Sequence, residues 1–371
     1  MSAPATVLAA LRRFLPEVPP RSEPQRRAVW AITHCRTAAL GGRVFVCADC
    51  HRRHFAYHSC NHKACPQCGR QATRAWVRHE LAKRIEAPYF LVTFTLPAEL
   101  RGCFFGPHAQ AAYDLFFAAV AGALAEKLSA DQGLGAAVHG FTVVLHTWNQ
   151  KLNFHPHLHC LVPGAGLDAH GQLVRVRQAD FLVYLPLLRA AFRQQMYRRL
   201  QAQQWAVDPK VWRKEWGVQI QPVGPGAAAI KYLGAYVAKT AIGDSRIVAV
   251  TEENVTFRWR DRADGNRLRE MTVPGREFVA RYLRHVLPVG LRSIRYYGFC
   301  HPAAKARRLR IQLLAGMAVD LGAASSPPLV APPLGCPVCQ GPLRRIGFLA
   351  APYRVRGPPP SVRGPFTAVA A

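Results

Sequence analysis

The chain has 371 residues, half of them hydrophobic, which is room for two or three domains. Its 49 lysines and arginines face 21 aspartates and glutamates, a formal charge of +28 and an isoelectric point near 10.5; such a surface repels itself unless it meets a polyanion, so nucleic acid is the first expected partner and an anionic membrane surface the competitor. No apolar run reaches the length of a spanning helix, and the N-terminus lacks the order of a secretory signal, so a cytoplasmic, nucleoid-associated location without membrane contact is expected.

Residues 1–40 read as helical and basic. The next stretch, CADCHRRHFAYHSCNHKACPQC (47–68), is dense in cysteine and histidine. The cysteine count of the chain is odd, eleven, and several fall in C-x-x-C pairs; in a reducing compartment that pattern favours metal over disulfides. Cys47, Cys50, Cys65 and Cys68 have nearly the spacing of one structural four-cysteine Zn2+ site, with Cys60, His62 and His58 as spare ligands that substitute or bind a second ion. A basic helical stretch follows over 71–87 and closes a first domain, 1–87, expected to recognise DNA.

YFLVTFTL (89–96) predicts a strand, residues 108–130 a long apolar helix, and GFTVVLHTW (140–148) a second strand. The polar turn NQKLN leads into FHPHLHCLVPG (154–164), the opposing strand of a hairpin. Helical material over 178–204, a strand at 216–223 and a helix at 227–240 come next, then a small β-meander at 247–273 and a basic helix at 276–287. The pattern is α+β, a ferredoxin-like antiparallel sheet with helices on one face. It spans a second domain, 88–300, with the meander as an insertion. The remainder, 301–371, is basic and partly disordered. It carries one lone C-x-x-C knuckle, Cys336 and Cys339, read either as a degenerate half-site or as a redox accident. Cys300 and His301 lie where no metal site is expected.

The histidines carry the chemistry. Side chains two apart on a strand share a face, so His155, His157 and His159 point one way and Leu158, Cys160 and Val162 the other. His157 and His159 can present two imidazoles to one ion. His146, roughly opposite across the hairpin, is a third ligand if the register holds. Pro156 removes a ladder donor, so His155 either contacts phosphate or starts the strand. Downstream, IKYLGAYVAKT places Tyr232 and Tyr236 four residues apart on one helical face, with Lys239 on that side. A phenol with a pKa near 10 is a poor nucleophile. A divalent cation polarising a phosphate, with a lysine nearby, makes it workable.

The His157-Leu158-His159 strand followed by a tyrosine helix resembles the HUH endonuclease superfamily. LHTWNQKLNFHPHLHCLVPG (145–164), KYLGAYVAKTAIGDSRI (231–247), SCNHKACPQCG (59–69) and EFVARYLRHVLPVGLRSIRYYGF (277–299) together resemble the two-tyrosine transposases of the insertion sequence 91 family, with an N-terminal transposase zinc-binding domain. The resemblance implies that His157 and His159 ligate Mg2+ or Mn2+ and that Tyr236 or Tyr232 attacks single-stranded DNA. A 5′-phosphotyrosine link and a free 3′-OH would result, and the second tyrosine would serve rejoining in rolling-circle transposition. Arg281, Arg284 and Lys231 are candidate DNA contacts. Two other readings compete: a non-catalytic zinc-dependent DNA-binding protein, and a metallohydrolase acting through activated water, for which no carboxylate base stands near the histidines.

Overall fold

The computed structural model describes residues 5–68, 70–130, 134–237, 240–318 and 335–351. Two short helices open the chain, α1 (Val7–Phe14) and α2 (Glu23–Thr33). Thr6 and Ser22 stand at their N-termini and accept backbone N–H groups that have no partner within the helix. In α1, Val7, Ala10, Leu11 and Phe14 form the buried stripe, at the spacing of one helical face. The hairpin β1 (Gly42–Cys47) and β2 (Arg53–Tyr57) comes next, then α3 (Arg70–Ala82).

The central unit runs β3 (Pro88–Thr95), α4 (Ala109–Ala130), β4 (Gly140–Trp148), β5 (Phe154–Pro163) and, after the small pair β6 (Ala165–Leu167) and β7 (Leu173–Arg175), α5 (Leu185–Ala202) and β8 (Gly217–Pro225). The helix α6 (Gly226–Val237) follows directly. A meander of β9 (Ile247–Val250), β10 (Asn254–Asp261) and β11 (Arg267–Pro274) leads to α7 (Gly275–Leu283). The strand β12 (Ile294–Gly298), the helix α8 (Lys305–Leu314) and the strand β13 (Leu343–Leu349) complete the described chain.

Five strands make the central sheet in the order β12-β4-β5-β3-β8, each pair antiparallel. Its core face carries Phe90, Val92 and Phe94 of β3, Val143 and Leu145 of β4, and Leu158, Cys160 and Val162 of β5. These pack against α4 and α5, through residues such as Phe116, Val120, Phe192 and Met196. The opposite face is covered too, which corrects the expectation of helices on one face. Tyr89, Leu91, Val144 and Leu161 pack there against Ala229, Ile230 and Leu233 of α6 and Trp76, Val77 and Leu81 of α3. Gly234 lets α3 and α6 approach closely, because a Cβ at that position would collide with Val77.

A second core joins parts distant in sequence: α1 and α2, the cysteine-rich loop at 60–68, Leu152 of the β4–β5 turn, the meander and α7. The β4–β5 turn is therefore held at both ends. Inside it, the Asn149 side-chain oxygen accepts the Lys151 and Asn153 N–H groups at 3.0 Å each. From outside, the Arg281 guanidinium donates to the Lys151 carbonyl at 2.8 Å and Arg246 to the Gln150 carbonyl at 2.5 Å. Lys151 also lies over the Trp259 ring. No described helix is long and apolar enough to cross a membrane.

Candidate active site and metal centres

The clamped hairpin sets the register on which the histidine site depends. His146 of β4 pairs directly with His157 of β5, and directly opposed residues share a face. His159 follows two residues on, so the three imidazoles converge. Their ring nitrogens lie within 4.8 Å of one another, a grouping that could hold a metal ion. His146 is buried at 3% exposure, with its ring stacked on Trp148.

The ring orientations are fixed from behind. His157 Nδ1 lies 2.7 Å from the His155 carbonyl oxygen, which only accepts. Nδ1 therefore holds the proton and Nε2 keeps its lone pair. His159 Nδ1 lies 3.0 Å from the Thr93 hydroxyl, which holds this ring in place from the neighbouring strand. Burial, and secondarily the neighbouring His146, pushes the His157 pKa down to about 3 and that of His159 down to about 2. Both rings are neutral at pH 7, the form that ligates metal. Three nitrogen donors are a ligand number that catalytic metal sites commonly use.

His155 stands apart, with its Nδ1 3.1 Å from an Arg101 guanidinium nitrogen. Arg101 Nε is buried with no hydrogen-bond partner, so this guanidinium at the rim of the site retains a donor.

The row of sheet residues that carries the histidines continues the face covered by α6. Thr93, paired with His159, follows Leu91 two residues on, and Leu91 is paired with Leu161. Leu161 and Leu91 pack against Ile230 and Leu233 of α6, so this helix lies across the same face as the histidines. Tyr232 on α6 is 43% exposed. Tyr236 lies within α6, but its side chain, like the whole of Lys239, falls outside the described residues. Lys231 and Arg284 are exposed. Arg281, expected to contact DNA, is instead largely buried and committed to Glu277 and to the Lys151 carbonyl.

A buried bulge separates the histidine row from the turn. The β4–β5 register shifts between His146 and Trp148, and Thr147 turns its hydroxyl to His285 Nδ1 at 3.2 Å. His285 Nε2 lies 3.1 Å from the Leu152 carbonyl. A bulge beside a site re-aims its neighbouring side chains. Sequence reasoning missed His285, because nothing in a lone histidine just beyond a basic helix signals a partner 138 positions away.

The cysteines are arranged differently from the expectation of one site made of Cys47, Cys50, Cys65 and Cys68. They divide between two clusters, Cys35 with Cys60, Cys65 and Cys68, and Cys47 and Cys50 with Cys336 and Cys339. Each gathers four thiols within 4.8 Å, and both fit structural Zn2+. In the first, Cys60 and Cys68 sulfurs are 3.6 Å apart. Cys60 belongs to the cluster, whereas His62 Nδ1 accepts the Ala64 N–H instead, and His58 is exposed. Cys35, just beyond α2, was missed because it stands alone, without a C-x-x-C partner. The thiols polarise one another. Hydrogen bonds from Cys60 and then Cys65 pull the Cys68 pKa down to about 2, so a thiolate is ready for a cation.

Comparisons with known proteins give the family. Residues 140–308 match the family model described as "Putative transposase", and residues 10–96 match the one described as "Transposase zinc-binding domain". The protein named "Putative transposase y4qJ" from Sinorhizobium fredii is 36% identical over 320 residues, 80% of each chain. The "Transposase for insertion sequence element IS801" of Pseudomonas savastanoi pv. phaseolicola is 26% identical over 288 residues, 71% of this chain and 67% of its own. No solved structure matches. On these grounds the chain belongs to the insertion sequence 91 family of transposases and carries that family's zinc-binding domain.

Proposed function

We propose that this transposase cleaves and rejoins single-stranded DNA through a tyrosine, at a site built by His146, His157 and His159 beneath α6. The observation that carries the reading is the convergence of three imidazoles, those of His157 and His159 held neutral by burial, on the sheet face over which the tyrosine helix packs. The strand–helix–strand–strand–helix–strand order, with β4-β5-β3-β8 adjacent, is the arrangement a ferredoxin-like catalytic domain requires.

A Mg2+ or Mn2+ ion held by the three histidines would polarise the scissile phosphate, and imidazole ligation suits Mn2+ the better of the two. Arg101, whose guanidinium meets His155 Nδ1, is a candidate contact for a phosphate oxygen. Tyr236 or Tyr232 gives up its phenolic proton and its oxygen attacks phosphorus. The P–O3′ bond breaks, the 3′ oxygen takes a proton, and the 5′ phosphate stays on the tyrosine. Rejoining reverses this, when a 3′-OH attacks the phosphotyrosine and the phenol leaves. Bond energy is conserved in the ester, so no external energy source is needed. The basic chain supplies phosphate contacts, so binding weakens steeply with salt. Trp148, on the histidine face of the hairpin, offers a ring on which an unpaired base can stack.

The test is a denaturing gel with labelled single-stranded DNA carrying the element's end and Mg2+ or Mn2+ present. A label shifted to the protein, absent in the Tyr232→Phe/Tyr236→Phe double variant and on chelation, supports the reading. Cleavage without a shifted band would point to hydrolysis by water. Salt-sensitive binding without cleavage would leave a DNA-binding protein.

A further inference from the structure

The second cysteine cluster lies partly outside both family matches, since Cys336 and Cys339 come after residue 308. We propose that Cys47, Cys50, Cys336 and Cys339 bind a second Zn2+ ion, and that this ion fastens residues 335–351 to the N-terminal hairpin as the third strand of one zinc ribbon.

The two halves of the site are built alike. At Cys47 the backbone N–H reaches the Arg52 carbonyl at 3.0 Å, and its own carbonyl accepts the His51 N–H at 3.1 Å. At Cys336 the N–H reaches the Gly341 carbonyl at 2.8 Å, and its carbonyl accepts the Gln340 N–H at 2.8 Å. The residue four beyond the first cysteine takes a left-handed conformation in both, His51 at φ 58° and Gln340 at φ 64°. Neither is glycine, so both turns tolerate a costly backbone geometry. Two segments nearly 300 residues apart thus form matching knuckles, each aiming two sulfurs inward.

The sulfurs suit a tetrahedral ion and not a disulfide. Cys47 and Cys339 Sγ are 3.4 Å apart and Cys50 and Cys336 Sγ 3.7 Å. A disulfide needs about 2.05 Å, whereas four thiolates at about 2.3 Å from one zinc stand about 3.8 Å from each other. His54 Nε2 lies 3.3 Å from Cys336 Sγ, placed to donate to a bound thiolate from outside the shell.

The knuckles draw their strands together. The β13 strand pairs antiparallel with β1 from Gly42↔Leu349 to Cys47↔Leu343, and β1 pairs with β2 on its other side. The Ala48 N–H crosses between the knuckles to the Pro342 carbonyl at 3.0 Å, and a Cβ on Gly341 would strike the Asp49 carboxylate. Little apolar material holds this sheet: Ile346, Phe348, Phe55 and Tyr57 are all exposed. A sheet without a core of its own depends on its metal. The ion also closes a loop of nearly 300 residues, and the entropy removed from the unfolded chain grows with loop length.

The test measures zinc in the purified full chain, with Co2+ substitution to report ligand type. The expected content is about two ions per chain, falling to about one in Cys336→Ser/Cys339→Ser and in a second variant ending at residue 318. The double variant should also be cut faster by limited trypsin at Arg344 and Arg345, which are exposed but held in β13 in the wild type. A wild type holding one ion would overturn the proposal. So would an undiminished zinc count in the double variant, or a halved count with Arg344 and Arg345 cut no faster.

Discussion

The histidine site and the cysteine sites are assembled by opposite means. The three imidazoles stand on two adjacent strands of one hairpin, His146 facing His157 across a five-residue turn. Their convergence needs only the pleat of a sheet and a fixed register. The eight thiols come from segments near 35, 47–50, 60–68 and 336–339, and no local periodicity brings these together. One site is local geometry made rigid by a sheet; the others are tertiary closures, one within residues 35–68 and one joining residues 47–50 to 336–339. The two regions also meet. The first cysteine cluster lies in the same core as Leu152, and the loop of Cys65 and Cys68 leads into α3, which packs on α6 through Val77 and Gly234. The cysteine-rich region thus supports the histidine site from the turn below and from the tyrosine helix above.

That division of labour can be broken at either end. On the proposed function, replacing His157 or His159 by alanine should remove a metal ligand without opening the fold. Strand cleavage should fall on the order of a thousandfold with an unchanged melting temperature, as read by single-turnover kinetics and calorimetry. Cys35→Ser should do the reverse. It costs one zinc ion and about 4 kcal/mol or more of stability, seen as a lower denaturant midpoint, and activity is lost only through unfolding.

The clamp between the regions has its own signature in pH. Burial first of all lowers the His285 pKa from 6.5 to about 4. Between those values the unfolded chain binds a proton that the folded chain does not, so the contribution is full above pH 6.5 and declines as pH falls toward 4. The decline is about 3 kcal/mol. The difference between wild type and His285→Gln in denaturant midpoint across pH 7 to 4 isolates it, and a difference that does not change with pH would refute the assignment.

Gly234→Ala sharpens the comparison further. The added methyl meets Val77, and forcing α3 from α6 should cost about 1–3 kcal/mol. It should slow cleavage more than its stability loss explains, because it displaces the tyrosine helix. Glu252→Gln, removing an exposed pair with Arg13 at 3.2 Å, should change the unfolding free energy by less than about 0.5 kcal/mol, read by denaturant titration.

The same contrast explains what the sequence made legible. The hairpin could be read because strand alternation and a polar turn specify which residues share a face, but the place of His146 hung on the register, which the pairing with His157 supplies. The α6 helix and the meander were readable from their periodicity and turn residues. The strand β12, which completes the sheet beside β4, was not recognised, because RYYG is short and lies in a run with no alternation. The strand β13 was hidden likewise, since LRRIGFL exposes both polar and apolar side chains and gains its place only by pairing with β1. The zinc pairing misled because a spacing rule joins neighbours, whereas Cys47 and Cys50 find their partners at 336 and 339.

The most direct test of the central claim is to locate the residue that takes up DNA. Trypsin cleaves after Lys231 and Lys239, so one peptide, YLGAYVAK, holds both Tyr232 and Tyr236. After reaction with single-stranded end DNA and Mn2+, followed by nuclease trimming, mass spectrometry should find a nucleotide on that peptide. It should be absent when His146, His157 and His159 are replaced together. A nucleotide on another residue, such as Tyr296 or Tyr297 of β12, or strand cleavage with no modified peptide, would contradict the account.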